Sequence, residues 1–363
     1  AVGPPPEAQT SAAATLHPKL AEGASKEVVD SIWSGQRVAV GCLKKSKMGG
    51  KAQEEFIKEA RLLQQLIQHP NIIRLMGTVT SEDSPSLCVV LEFAERGSLF
   101  TLLHRHRIKY SPEVRWLWLF GIAFGLHHLH TQGAIAHRDM KSDNVLITRD
   151  FTPKLTDFGL SRQREGALGL DATTMTGSVV GSPLWMAPEL MLANQYNPFL
   201  ADVHSTSMIF YEIISGLLPF SDATSKSNLI ERVAIKHERP TVQVEDGMCP
   251  ASLIELLSDM WRVVPTQRPR LHDVISRLHG ADPTGLFSSP TPSVQGSLLP
   301  LHIMDAAVAL SPKPREPSPQ DYKRPEQPVA VSPANAEAEA GLVTGQAKKE
   351  LAAMLRKELN DAI

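Results

Sequence analysis

In the segment KAQEEFIKEARLLQQLIQ, Phe56, Leu63 and Ile67 recur at helical spacing beside Ala60, while Glu54, Glu55 and Lys58 fall toward water, so the segment predicts an amphipathic helix. Around it lie short β-branched runs, EVVDSIW, RVAV and SLCVVLEF, which predict strands. Residues 19 to about 94 therefore read as a small sheet carrying one helix. From there to residue 280 the pattern turns mostly helical, opening with SPEVRW, where Ser111 can cap and Pro112 can take the first helical position. The longest apolar run, residues 116–126, covers about 11 residues against the roughly 20 needed to span a bilayer, and it predicts a buried helix. The expected class is α+β, with a small sheet lobe and a larger helical lobe.

Beyond residue 281 the composition shifts to Pro, Ser and Ala (SSPTPSVQGS, SPKPREPSPQ, SPANAEAEAG), which cannot bury enough apolar area to order itself. Residues 281–345 are expected to form a disordered linker, and residues 1–18 a disordered N-terminal segment. The final stretch, QAKKELAAMLRKELNDAI, sets Leu351, Leu355, Leu359 and Ile363 on one stripe. Residues 346–363 thus predict an amphipathic helix that docks on the body of the protein or on a partner helix, with a frayed tail as the alternative.

Charge and cysteine content narrow the picture further. The 37 basic and 39 acidic residues nearly cancel, which gives no whole-chain pull toward nucleic acid or an anionic membrane, and neither is expected as a partner. Cys42, Cys88 and Cys249 show no C-x-x-C spacing, so neither a disulfide framework nor a zinc site is expected, and a reducing, cytoplasmic setting fits. No secretory signal is visible, and the opening on Ala1 rather than Met reads as a piece of a longer chain.

Four motifs carry the chemistry: HRDMKSDNVLI (137–147), DFG (157–159), GSPLWMAPE (181–189) and QRP (267–269). In this order and spacing they resemble the eukaryotic protein kinase family over roughly residues 20–278, and WMAPE with GQRVAV is most similar to the tyrosine-kinase-like branch of serine/threonine kinases. The resemblance implies a bilobal protein kinase fold over residues 19–280, with lobes 19–94 and 95–280. It also implies ATP and Mg²⁺ as cofactors, and phosphorylation of serine or threonine hydroxyls on a protein substrate. Phosphoryl transfer needs positioning and charge neutralisation more than covalent help.

By resemblance, Asp139 accepts or orients the substrate hydroxyl's proton, Asn144 and Asp157 hold the metal ions, and Lys141 with Ser182 supports Asp139. Val28, Ala39 and Leu146 would sandwich the adenine ring; the backbone of Glu92 and Ala94 would meet its edge, with Leu91 as gatekeeper. Leu63, Leu75, His137 and Phe158 match the apolar column between the lobes, anchored by Asp202. Glu189 and Arg268 match a buried structural ion pair. The segment 157–189 resembles an activation loop, in which an upstream kinase would act on Thr173, Thr174, Thr176 or Ser178. Arg138 is the type of residue that pairs with such a phosphate.

One departure cuts across this pattern. Aligned on RVAV, the strand lysine of the family falls at Gly41, with Glu59 as its helix partner; of the loop glycines only Gly23 remains, since Ala21 and Lys26 stand at the other two positions. Lys44 points to the opposite face, and Lys45 faces correctly but starts about 6.6 Å farther along. Lys26 shares parity with Val28, so it is expected to supply the missing cation and pair with Glu59, a swap similar to that of the with-no-lysine kinases. The competing reading is a pseudokinase scaffold, supported by Gly41, Ala21 and Ser207, which stands where a glycine is usual.

Overall fold

The computed structural model describes residues 19–22, 26–65, 68–80, 87–158, 162–163, 175–176, 182–192, 195–242 and 249–285. Strands β1 (Lys19–Glu22), β2 (Lys26–Trp33), β3 (Gln36–Leu43), β4 (Leu75–Thr80) and β5 (Leu87–Glu92) form an antiparallel sheet in the order β1-β2-β3-β5-β4. Ser34 and Gly35 turn β2 into β3 with φ of 51° and 77°, the left-handed pair that matches the twist of a two-residue hairpin. Helix α1 (Lys51–Gln65) lays Phe56 against Leu43 and Val89 of the sheet, with Ala52, Ala60 and Leu75 at the margin. Its charged residues Glu54, Glu55 and Lys58 are exposed.

The second lobe is built on α2 (Pro112–Thr131), which is apolar around most of its circumference because it is covered on all sides. Ser111 sits at its N-cap without a side-chain capping bond, and Pro112 opens the helix. Gly121 and Gly125 are required by close approach: a Cβ on Gly121 would lie 2.5 Å from Pro153 Cγ, and one on Gly125 would lie 2.7 Å from the Asn71 carbonyl oxygen. Among the described residues, three two-stranded ribbons follow in this lobe. They pair β6 (Ile135–Ala136) with β9 (Arg162–Gln163), β7 (Val145–Ile147) with β8 (Pro153–Leu155), and β10 (Met175–Thr176) with β11 (Gln195–Tyr196).

The remaining helices are α3 (Pro188–Leu192), α4 (Pro198–Ser215), α5 (Lys226–Ile230), α6 (Ala251–Met260) and α7 (Leu271–Ala281). Helix α4 has well-defined ends. The Asn197 side chain accepts from Phe199 N and Leu200 N, Pro198 occupies the first turn, and Gly216 closes the helix at φ 70°. Arg268 donates to both Glu189 oxygens, at 2.6 and 2.7 Å, and ties α3 to the lobe's far end. No helix among the described residues is long and apolar enough to cross a membrane.

Three expectations change here. Sheet register sets Cys42 directly opposite Cys88, with Cα atoms 4.1 Å apart, and the two sulfurs are bonded. A pairing across 46 residues is invisible to any short-spacing rule, because strand pairing creates it. The strand β3 ends at Leu43, so Lys45 lies in an exposed 3₁₀ turn (Lys45–Lys47) rather than on the strand face expected of it. Ala281 closes α7 and does not open a linker. Ile67, residues 1–18 and residues 286–363, with the expected C-terminal helix, lie outside the described residues.

Candidate active site

Register sets Lys26 and Gly41 on one face of the sheet. In β2 and β3, Val28 stands opposite Gly41 and Lys26 opposite Leu43, so Lys26, Val28 and Gly41 share the face that α1 covers. A Cβ on Gly41 would meet Val89 Cγ2 at 3.4 Å and Val28 Cγ2 at 3.9 Å, ordinary contacts in a space bounded by apolar groups. On the same face, the Lys26 ammonium group meets two carboxylates. Its Nζ lies 3.1 and 3.4 Å from the two oxygens of Glu59 on α1, and 2.8 Å from Asp157 Oδ1. Lys44, by contrast, turns to Glu22 at 2.6 Å.

The electrostatics follow from this three-way contact. Burial alone would lower the pKa of Lys26, but the Glu59 and Asp157 carboxylates outweigh it and hold the ammonium above its ordinary value. Burial pushes the Asp157 carboxyl up; Lys26 more than offsets it, so Asp157 stays below its usual range and ionised. For Glu59, burial pushes the pKa up, Lys26 draws it back and nearby Asp157 pushes it up again, leaving it raised. One cation thus holds two carboxylates together.

The other half of the site is a loop held under backbone strain. Arg138 and Asp157 adopt φ of 69° and 64°, uncommon for residues with a Cβ. Buried Asp202 on α4 holds this backbone by accepting from His137 N and Arg138 N, each at 2.8 Å, and from His130 Nε2 at 2.9 Å. The His137 ring packs at 5.2 Å, centroid to centroid, from Phe158, and Leu63 and Phe158 join the same buried core, with Leu75 packed against it.

Asp139 collects three donors. Lys141 Nζ approaches Oδ2 at 2.6 Å, Asn144 Nδ2 approaches the same oxygen at 3.1 Å, and Ser182 Oγ reaches Oδ1 at 3.2 Å. Lys141 also bonds Ser182 Oγ at 3.0 Å, closing a triangle between two loops. Because Asn144 spends its amide N–H on the Asp139 side chain and carbonyl, its amide oxygen is turned to another direction. An amide oxygen and an ionised carboxylate, at Asn144 and Asp157, are hard donors of the kind that a magnesium ion prefers, so the residues fit that metal.

Val28, Ala39, Leu91, Glu92, Ala94 and Leu146 are all half-buried. Ala39 pairs with Leu91 across the sheet, and Leu146 lies on β7 in the larger lobe. The Glu92 side chain meets Arg74 N at 2.7 Å and Lys154 Nζ at 2.9 Å, and its backbone N–H donates to the Arg74 carbonyl at 3.0 Å. Arg138 meets the Tyr196 hydroxyl through Nη2 at 2.9 Å, a partner that the sequence reading overlooks. Gly23, Gly159, Thr173, Thr174 and Ser178 lie outside the described residues; Thr176 is described only as part of β10, opposite Gln195.

Residues 15–278 match the protein kinase domain family. A probable serine/threonine-protein kinase of Dictyostelium discoideum is 34% identical over 262 residues, 72% of this chain and 27% of that protein. A dual specificity protein kinase of the same organism is 32% identical over 262 residues, 72% of this chain and 18% of that protein. A probable serine/threonine-protein kinase of Arabidopsis thaliana is 31% identical over 288 residues, 79% of this chain and 27% of that protein. The chain spans less than a third of the length of each of these relatives.

Proposed function

Because the chain belongs to the protein kinase family, we propose that it transfers the γ-phosphoryl group of ATP to serine or threonine hydroxyls of a protein substrate, with Lys26 supplying the cation that Gly41 cannot. The observation that carries this reading is the Lys26 ammonium at 3.1 Å from Glu59 and 2.8 Å from Asp157. A partly buried lysine between two carboxylates from two other elements supports this reading.

The chemistry assigns each group a task. The substrate hydroxyl oxygen attacks the γ-phosphorus, the bond from that phosphorus to the bridging β–γ oxygen breaks, and the hydroxyl proton passes to Asp139. Lys141, within 2.6 Å of Asp139 and 3.0 Å of Ser182, holds the base in place and adds positive charge beside the transferred group. Asn144 and Asp157 would hold magnesium, which neutralises phosphate charge when bound. Glu59 fixes Lys26 from the helix side. Val28, Ala39 and Leu146 offer apolar surface to a flat base, and the Glu92 and Ala94 backbone offers hydrogen-bond partners at its edge.

The scaffold reading draws on Gly41 and on Ser207, whose hydroxyl folds back on the His204 carbonyl at 2.6 Å within α4. Transfer of labelled phosphate from ATP to a generic basic protein separates the two. Activity in the parent chain that is lost in Asp139→Asn supports the enzyme; a silent parent revived by Gly41→Lys supports the scaffold.

A further inference from the structure

Helix α4 carries a second buried carboxylate that the phosphotransfer chemistry leaves unexplained. Glu212 is fully buried, and its carboxylate takes donors from three separate segments: His104 Nε2 at 2.8 Å, Ser142 Oγ at 2.7 Å and Trp185 Nε1 at 2.7 Å. Taking a carboxylate out of water is costly unless its oxygens are filled, so these contacts are strongly specified. Burial pushes the Glu212 carboxyl up, and the three donors draw it back only in part.

The donors are placed where they matter. Ser142 directly follows Lys141 and begins the short 3₁₀ turn that ends at Asn144. Trp185 ends the 3₁₀ turn that starts just after Ser182. His104 lies in a single π-helical turn, Thr101–Arg105, and braces the same carboxylate from a third side. Glu212 Oε1 accepts from Ser142 while Oε2 accepts from Trp185, so one rigid side chain fixes the separation of the two loops.

We propose that Glu212 is a positioning residue for phosphotransfer, setting the loop of Lys141 and the loop of Ser182 at the spacing that lets Lys141 bridge Asp139 and Ser182. The proposal rests on the phosphotransfer reading above. The bridging contacts are 2.6, 3.0 and 3.2 Å, and a relative shift of about 1 Å would take the longer two beyond hydrogen-bonding range. Misplacement on that scale lowers the rate of a positioned reaction without weakening nucleotide binding to match.

Ser142→Ala in the full chain tests this, since it removes one tether and leaves Asp139, Lys141 and Ser182 untouched. Phosphotransfer kinetics should show kcat falling about tenfold with KM for MgATP held within about twofold, the size of one lost hydrogen bond to a charged group. Amide hydrogen exchange, followed by mass spectrometry, should rise in the peptide holding Trp185 as well as around Ser142, because the tether is shared. Glu212→Gln, which keeps the side chain's shape, should loosen both loops together. Exchange confined to the Ser142 loop, with kcat within about twofold of the parent, overturns the proposal. If the parent chain transfers no phosphate, the phosphotransfer reading falls, and exchange across the two loops still decides whether Glu212 couples them.

Discussion

Replacing Lys26 with methionine removes the ammonium and keeps most of the side-chain volume. In the free protein it leaves Glu59 and Asp157, which now share one cation at 3.1 and 2.8 Å, facing each other with none. In the nucleotide complex it removes a positive charge that would stand about 4 Å from a phosphate oxygen, worth on the order of 4 kcal/mol at an effective dielectric near 20. If that attraction is realised in the transition state, kcat/KM falls roughly a thousandfold. The assay is initial-rate phosphotransfer from labelled ATP, comparing the parent, Lys26→Met and the double variant Lys26→Met with Gly41→Lys. The double variant should regain part of the loss, because a Cβ at residue 41 meets only Val89 and Val28 methyl groups at 3.4 and 3.9 Å. Activity in Lys26→Met within about tenfold of the parent would refute the reasoning, since no other cation should then be needed.

Further consequences concern stability. Arg268→Met leaves Glu189 buried and unpaired and should cost about 3–5 kcal/mol in urea unfolding, whereas a loss under about 1 kcal/mol would contradict the buried pairing. Cys42→Ser with Cys88→Ser opens a loop of 46 residues and should lower stability by up to about 4 kcal/mol on the chain-entropy account. Without reductant, the denatured parent should expose one alkylatable thiol, Cys249; three would contradict the bond. Burial and the stacked His128 hold the His69 imidazole down at about 4, and its Nδ1 accepts from Asn71 N at 3.1 Å. An unfolded imidazole protonates near 6.5, so the unfolded state takes up the proton first, and the unfolding temperature should drop as pH falls from about 6.5 to about 4. His69→Gln should flatten that drop; an unchanged pH profile would count against it.

Local pattern made much of the fold legible. The 3.6-residue repeat around Phe56 marks α1, the β-branched runs mark β2, β3 and β5, and the unbroken apolar stretch marks α2. Motif order identifies the family, because residues that meet in space recur at fixed places along the chain. Strand parity places Lys26 on the face of Val28 and Gly41, since a period of two decides which face a side chain takes.

Long-range register was not legible. The Cys42–Cys88 pairing depends on how β3 meets β5, and the end of β3 at Leu43, which removes Lys45 from the site, depends on where the sheet stops. Glu212 reads as one more polar residue in a helix. Only the packing of three distant segments around α4 reveals its donors, because buried polar networks leave no periodic trace. Arg138 likewise finds Tyr196, 58 residues away in sequence, through tertiary packing alone.

Which lysine stands over the phosphates can be read directly by treating the protein with an acyl-phosphate derivative of ATP, which acylates the nearest amine, and mapping the modified peptide by mass spectrometry. Lys26 should carry the label, and excess MgATP should abolish it. Labelling at Lys44 or Lys45 with Lys26 untouched would contradict a cation delivered from β2.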